Sequence, residues 1–164
     1  MAGKDKAERI PATREQMQRV LDELPQKPPF RFLDDIVEMS NEHIVGKYTF
    51  KQDEWFYKGH FPGHPVTPGV ILIECIAQSA VVALGLHQHF MDGGTLDRMT
   101  LFSDCEIEFS KVVNPGDTVY VKAKKLFFRR YKLKSEATLE LEDGSVAASG
   151  TLSGIGVKLE DLEE

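Results

Sequence analysis

The chain is organised around one stretch, Gly59-His-Phe-Pro-Gly-His-Pro-Val-Thr-Pro-Gly69, which continues directly as Val70-Ile-Leu-Ile-Glu-Cys-Ile-Ala-Gln-Ser-Ala-Val-Val-Ala-Leu-Gly-Leu86. In its first part, Pro62, Pro65 and Pro68 fix the backbone φ angle and keep the segment out of regular structure. Pro68 also suits the first turn of a helix. The stretch therefore predicts a loop with two histidines that leads straight into a helix.

The segment Val70–Leu86 contains no Lys, Arg or Asp, and its clearly polar side chains are Glu74, Gln78 and Ser79. A helix that is apolar nearly all round is buried on every side. Its length is marginal for a membrane span, and an ionisable residue lies in its first third. We therefore predict the central buried helix of a soluble domain.

Glu74 and Gln78 are four residues apart and share one face of this helix. A carboxylate in an apolar helix is costly unless it is paired or neutralised. Burial favours the protonated form of a carboxyl group, which suits a general acid. The alternative is a glutamate that reaches solvent at the edge of the helix, and the residues alone leave both interpretations open.

Composition narrows the class of protein. A chain of 164 residues fits one domain with a substantial core, and a net charge of −6 argues against a general nucleic-acid binder. Cys75 and Cys105 make no disulfide framework, and the N-terminus has no apolar signal segment. We expect a cytosolic protein with reduced thiols and no metal site, in which His87 and His89 lie at a solvated helix end.

The remaining chain predicts an α+β fold. Thr13 and Gln16 can form a capping box for a short helix, and the Asp143-Gly144 pair is a hairpin turn. Strands are predicted at 32–39, 43–50, 98–105, 118–128, 131–141 and 145–156. Two strands, one buried helix and four further strands indicate a curved antiparallel sheet wrapped around that helix. We divide the chain into a partly disordered N-terminal extension (1–22), a single domain (23–157) and an acidic tail (158–164).

The loop and helix resemble the FabZ-type 3-hydroxyacyl-[acyl-carrier-protein] dehydratases, which have the hot-dog fold. The resemblance rests on Gly59–Gly69 and on Leu72-Ile-Glu-Cys-Ile-Ala-Gln78, with a Glu fourteen residues after the first His. Further agreement comes from Leu24-Pro25, Pro29-Phe30, Phe109 and Pro115-Gly116-Asp117. The resemblance covers roughly Leu24 to Gly154.

The chain departs from this family at several positions. Gln26, Lys27 and Pro28 stand where the family usually has His, Arg and Tyr, and Lys111-Val112 replaces a usual Arg-Pro. Cys75 replaces a usual Ala beside the acid. The related FabA-type dehydratase–isomerases usually carry Asp as the acid. Glu74 therefore favours the FabZ type, with dehydration and little isomerisation.

The resemblance also implies the site residues. His60 is the expected base for the C2 proton, and Glu74 is expected to assist departure of the C3 hydroxyl. Gly69, at the helix N-terminus, would hold the thioester oxygen, and Gln78 would fix Glu74. The expected residues of the acyl tunnel are Phe61, Pro62 and Val70. No cofactor and no metal are implied.

The expected partner is an acyl carrier protein that bears a 3-hydroxyacyl chain. In the family, the His and the acid of one site come from different subunits, so the resemblance implies at least a homodimer, with a trimer of dimers as the larger form. Neither nucleic acid nor a membrane span is expected. Two other classes stay open: a hot-dog acyl thioesterase, and a non-catalytic acyl-binding hot-dog protein.

A basic run on the later strands has two interpretations. It is free of acidic residues and consists of Lys122, Lys124, Lys125, Arg129, Arg130, Lys132 and Lys134. The residues can be solvated strand faces, or they can form a patch that steers an acidic carrier protein.

Overall fold

A six-stranded antiparallel sheet wraps around a long helix in the computed structural model, which describes residues 10–163. The elements in chain order are α1 (Arg14–Glu23), β1 (Asp35–Met39), β2 (His43–Thr49), a 3-10 helix (Trp55–Lys58), α2 (Gly69–Ala77), a π-helical segment (Gln78–Ala83), α3 (Leu84–Met91), β3 (Arg98–Phe109), β4 (Thr118–Arg129), β5 (Lys132–Leu141), β6 (Val146–Lys158) and a second 3-10 helix (Leu159–Leu162). The strand order is β1-β2-β4-β5-β6-β3. The predicted α+β architecture is confirmed.

The α2, π-helical and α3 segments form one continuous helix, Gly69–Met91. It has the length and apolar composition of a membrane span, but 67% of its most apolar window is buried inside the protein. Every side chain of Gln78–Ala83 is buried. The Ser135 hydroxyl of β5 donates to the carbonyl of Ala80 at 2.7 Å and ties this segment to the sheet. The stretch is therefore the core helix of a soluble domain, as the sequence predicted.

The central helix is longer than predicted. It continues past Leu86 to Met91 and ends before Gly93, whose φ of 76° lies in the left-handed region. The solvated end expected for His87 is wrong, because that side chain is only 3% exposed. The sequence did not indicate that the helix continues for one more turn and that His87 in this turn packs inside the protein. His89, in contrast, is half-buried and contacts the carbonyl of Thr95.

Most strand ends fall within two residues of the prediction, with two exceptions. β1 begins at Asp35 instead of residue 32, because the preceding backbone is bonded to the central helix through Phe32 N–H. β3 extends to Phe109 instead of Cys105. The tight turn between β4 and β5 is made by Arg130 and Tyr131, whose φ angles of 50° and 62° are both left-handed.

The N-terminal helix α1 packs on this core. Thr13 and Gln16 form the predicted capping box, and Met17, Val20 and Leu21 are buried. At the other end of the chain, Leu159 N–H donates to the Asp97 carbonyl at 2.9 Å. The disorder expected for the first residues concerns 1–9, which lie outside the described part of the chain. The domain boundaries given above stay a prediction.

Three of the seven residues of the basic run contact acidic or polar side chains on neighbouring elements. Lys122 pairs with Glu140 at 2.5 Å, and Lys132 pairs with Asp104 at 3.4 Å. The ammonium group of Lys125 donates to Gln88 on α3. These contacts favour the interpretation as solvated strand faces.

Candidate active site

The histidine loop between the 3-10 helix and α2 is fixed at both ends. The hydroxyls of Tyr57 and Thr67 share a hydrogen bond of 2.7 Å, and both residues are buried. Burial raises the pKa of Tyr57 to about 12, so the phenol keeps its proton at neutral pH. Thr67 N–H also donates to the Val113 carbonyl at 3.0 Å. The loop therefore starts and ends on the core of the domain.

Within this loop, the His60 imidazole is held in one orientation. Its Nδ1 lies 2.8 Å from the Val66 carbonyl, and Val66 N–H donates back to the His60 carbonyl at 2.9 Å. The ring stacks on Phe61 with centroids 4.1 Å apart, across a cis peptide bond. A carbonyl oxygen only accepts, so Nδ1 carries the proton of the neutral ring. Nε2 is thus left with a lone pair, as a general base requires.

Gln78 joins the acid to the N-terminal segment of the domain. Its Nε2 donates to Glu74 Oε1 and to the Phe30 carbonyl, both at 2.9 Å, and its Oε1 accepts from Phe32 N–H at 2.7 Å. The Gln78 side chain is fully buried. Three hydrogen bonds leave the amide one orientation, which in turn fixes the Glu74 carboxyl group. Glu74 itself is half-buried, between the two alternatives that the sequence left open.

Gly69 is the first residue of α2, after the N-cap residue Pro68. The first N–H groups of a helix have no acceptor within the helix and carry its positive dipole end. A Cβ at Gly69 would lie 3.0 Å from the Phe109 ring. Glycine therefore keeps a narrow space open beside N–H groups that suit a thioester oxygen.

A small cavity lies along the central helix beside Glu74, with about 40 Å³ of room for water-sized groups. Its lining consists of Gln26, Glu74, Ala77, Val81, Val82, Thr100 and Phe102. Sequence reasoning missed Thr100 and Phe102, because Phe102 alternates along β3 with the polar residues Arg98, Thr100 and Asp104 and so lies on no apolar face that the sequence could indicate. Of the residues expected in the tunnel, Phe61 and Val70 are 54% and 72% exposed and do not line this cavity. Pro62 is likewise exposed.

The structure thus brings some of the expected residues together and separates others. Glu74 and Gln78 are in contact, and Gly69 lies on the same helix. Within residues 10–163, His60 neither lines the cavity beside Glu74 nor hydrogen-bonds to that carboxyl group. The described contacts therefore do not bring His60 and Glu74 together within one chain. Over the same residues, no cluster of three or more His, Cys, Asp or Glu side chains is suited to a metal ion.

The fold and site together define a hot-dog domain with an oriented loop histidine and a carboxyl group on its core helix. The FabA-like domain family matches residues 24–150, and the chain belongs to that family. It is 35% identical to a 3-hydroxyacyl-[acyl-carrier-protein] dehydratase FabZ of Syntrophobacter fumaroxidans, over 88% of this chain and 97% of the relative. The corresponding protein of Thermus thermophilus is 34% identical, over 84% and 94% of the two chains.

Solved structures support the same fold. The dehydratase heterocomplex ApeI:P from Xenorhabdus doucetiae contains a chain with a TM-score of 0.74 and 18% identity, covering 88% of this chain and 94% of its own. A hypothetical thioesterase from Streptococcus pneumoniae, solved with coenzyme A, has a TM-score of 0.54 and 11% identity, covering 76% and 85%. At these identities the likeness shows the fold and does not distinguish the two activities.

Proposed function

We propose that this protein is a 3-hydroxyacyl-[acyl-carrier-protein] dehydratase of fatty-acid or related lipid biosynthesis. It removes water from a (3R)-3-hydroxyacyl thioester and gives the trans-2-enoyl thioester. The observation that carries the proposal is the His60 ring, whose Nδ1 proton is held by the Val66 carbonyl while Nε2 has no hydrogen-bond partner among residues 10–163. The relatives that share most of the chain's length bear the name of this activity.

In this proposal, three groups act on the substrate. His60 Nε2 takes the C2 proton, and the electron pair of the C2–H bond forms the C2–C3 double bond. Glu74 gives a proton to the 3-hydroxyl as the C3–O bond breaks, so the oxygen leaves as water. Gly69 N–H donates to the thioester oxygen, which gains negative charge as the C2 proton leaves. Exchange with solvent restores the proton of Glu74 and removes that of His60.

The active unit in this proposal is a homodimer in which His60 of one subunit faces Glu74 of the other. The separation of the two residues within one chain supports this arrangement. Strand β3 is at the edge of the sheet, and large apolar side chains on it and next to it are 47–72% exposed in a single chain. These side chains are Val70, Phe102 and Phe109. We further propose a cytoplasmic location and an acyl carrier protein as the partner.

The test is conversion of 3-hydroxyacyl-carrier protein to the enoyl form, followed as loss of one water by mass spectrometry. Wild type should dehydrate, and His60→Ala and Glu74→Gln should each lower kcat by about 10²–10⁴-fold. Mixing the two inactive variants should restore about a quarter of wild-type activity, because half of the exchanged dimers are mixed and each of these keeps one intact site.

Other results would point to other functions. Release of the free acid by the wild type would indicate a thioesterase. Binding of the acylated carrier without loss of water would indicate a non-catalytic acyl-binding protein. Failure of the mixed variants to recover activity, with subunit exchange demonstrated, would place both groups of a site in one chain and contradict the shared-site dimer.

A further inference from the structure

Gln26 presents a buried hydrogen-bond acceptor that has no partner. It follows α1 and the buried Leu24, in the turn that leads toward β1. Its Oε1 atom is buried and accepts no hydrogen bond from the described residues. Buried polar atoms in folded proteins are nearly always bonded, since an unpaired one destabilises the fold. A group that arrives with a substrate would supply the missing donor.

The position of Gln26 indicates which group that is. Gln26 and Glu74 line the same cavity, whose other walls are apolar apart from Thr100. A water molecule needs about 10–15 Å³ of such space, so a cavity of about 40 Å³ accommodates two or three water-sized groups. Any hydroxyl that reaches Glu74 from this side also lies within the cavity that Gln26 lines.

The other amide at Glu74 is fully engaged. The side-chain amide of Gln78 donates to Glu74 and to the Phe30 carbonyl, and its oxygen accepts from Phe32 N–H. Its role is to hold the carboxyl group in place. The carboxamide of Gln26 is therefore the amide group on this cavity that has a free acceptor.

We infer that Gln26 is the second hydrogen-bond partner of the departing water, an inference that rests on the dehydratase activity proposed above. When Glu74 protonates the 3-hydroxyl and the C3–O bond breaks, the leaving oxygen carries two O–H bonds. One points back to the Glu74 carboxylate, and the other donates to Gln26 Oε1. The electron pair of the C3–O bond stays on the oxygen of the water.

A second partner matters because the water forms between apolar walls. Buried waters ordinarily make about two to four hydrogen bonds. The Glu74 carboxylate, whose Oε1 already accepts from Gln78, takes one of the two O–H bonds of the new water, and the second O–H bond needs an acceptor elsewhere. An acceptor that is already in place at Gln26 stabilises the second O–H as it forms, without reorganisation of the site.

The experiment uses the full-length chain with a short 3-hydroxyacyl-pantetheine substrate. Gln26→Met keeps the size of the side chain but removes the acceptor, and Gln26→His restores an acceptor nitrogen. The control is Gln18→Met on the exposed surface of α1. We measure kcat and KM for dehydration, kcat for hydration of the enoyl product, and the thermal midpoint of each variant.

Gln26→Met should lower kcat about tenfold in both directions while KM changes less than about threefold, since the bond forms as the water leaves. Its thermal midpoint should equal that of wild type or exceed it by about 2–4 °C, because an unpaired buried acceptor has been removed. Gln26→His should recover most of kcat. A merely structural side chain would instead lower the midpoint.

Three results would overturn the inference. They are an unchanged kcat in Gln26→Met, a fall in kcat that follows a fall in the thermal midpoint, and a loss that Gln26→His does not recover. An inactive wild type would remove the proposed function itself. An active wild type with an equally active Gln26→Met would remove the role of Gln26 and leave the proposed function standing.

Discussion

At its N-terminal end the central helix leaves Val70 72% exposed and Glu74 half-buried, whereas every side chain of its π-helical segment Gln78–Ala83 is buried. In the function proposed above, the reacting group of this helix is Glu74, in the part that is partly exposed. The buried part has little chemistry of its own, but it supplies Gln78. A reactive group at the edge of the core can thus be positioned by a residue inside it.

His60 and Glu74 also differ in how the surrounding structure holds them. His60 lies on a loop that is held by backbone carbonyls and by the Tyr57–Thr67 pair at its base. Glu74 lies on a rigid helix and is held by one buried amide. The loop sets which nitrogen of the imidazole is free, and the helix sets where the carboxyl group stands.

The largest effect should come from removing volume at a fully buried position of the helix, next to the π-helical segment. Ile76 is fully buried, so Ile76→Ala should lower the free energy of unfolding by about 2–5 kcal/mol. Val70→Ala, at the exposed end, should change the free energy of unfolding by about 0.5 kcal/mol or less. Urea denaturation measures both. Equal losses would mean that the exposed end is packed in solution, as a dimer interface would make it.

Gln78→Leu removes less side-chain volume than Ile76→Ala, but it removes more hydrogen bonds. It leaves Phe32 N–H, the Phe30 carbonyl and Glu74 without their partner, which should lower the free energy of unfolding by about 2–4 kcal/mol. Because Glu74 loses its orientation, kcat should fall by about 10- to 100-fold in the fraction that remains folded. Gln18→Leu, the same change on the exposed surface of α1, is the control for both measurements. Wild-type activity in Gln78→Leu would show that Glu74 needs no positioning.

The burial of the central helix and the position of Glu74 and Gln78 on one face of it could be predicted from the sequence. The absence of basic residues in Val70–Leu86 predicted a helix buried all round, and the four-residue spacing of Glu74 and Gln78 predicted their contact. Asp143-Gly144 located the hairpin between β5 and β6, whereas no typical turn residue marked the hairpin at Arg130 and Tyr131. Local patterns were sufficient here because burial and helical spacing are properties of neighbouring residues.

Other features were not predictable because they depend on distant contacts. The bond from Gln78 to Phe32 joins residues far apart in sequence, and it explains why β1 begins at Asp35. The cavity that Gln26 shares with Thr100 and Phe102 joins three segments of the chain. The burial of His87 depends on the continuation of the helix past Leu86. The polar residues His87 and His89 gave no sign of this continuation in the sequence.

His87 provides the smallest and most selective test, since it is a titratable group at a buried position of the helix beyond the π-helical segment. Burial lowers the pKa of His87 below its ordinary value near 6.5. As the pH falls through about 6.5, the unfolded chain binds a proton at this site before the folded chain does, so this contribution to stability is present at higher pH and lost toward lower pH. Wild type should therefore lose more stability than His87→Gln between about pH 7.5 and about pH 5.5. Urea denaturation of both proteins at the two pH values measures this difference. If the two proteins lose stability in parallel, His87 is protonated within the folded protein, and its burial does not exclude the charged imidazolium.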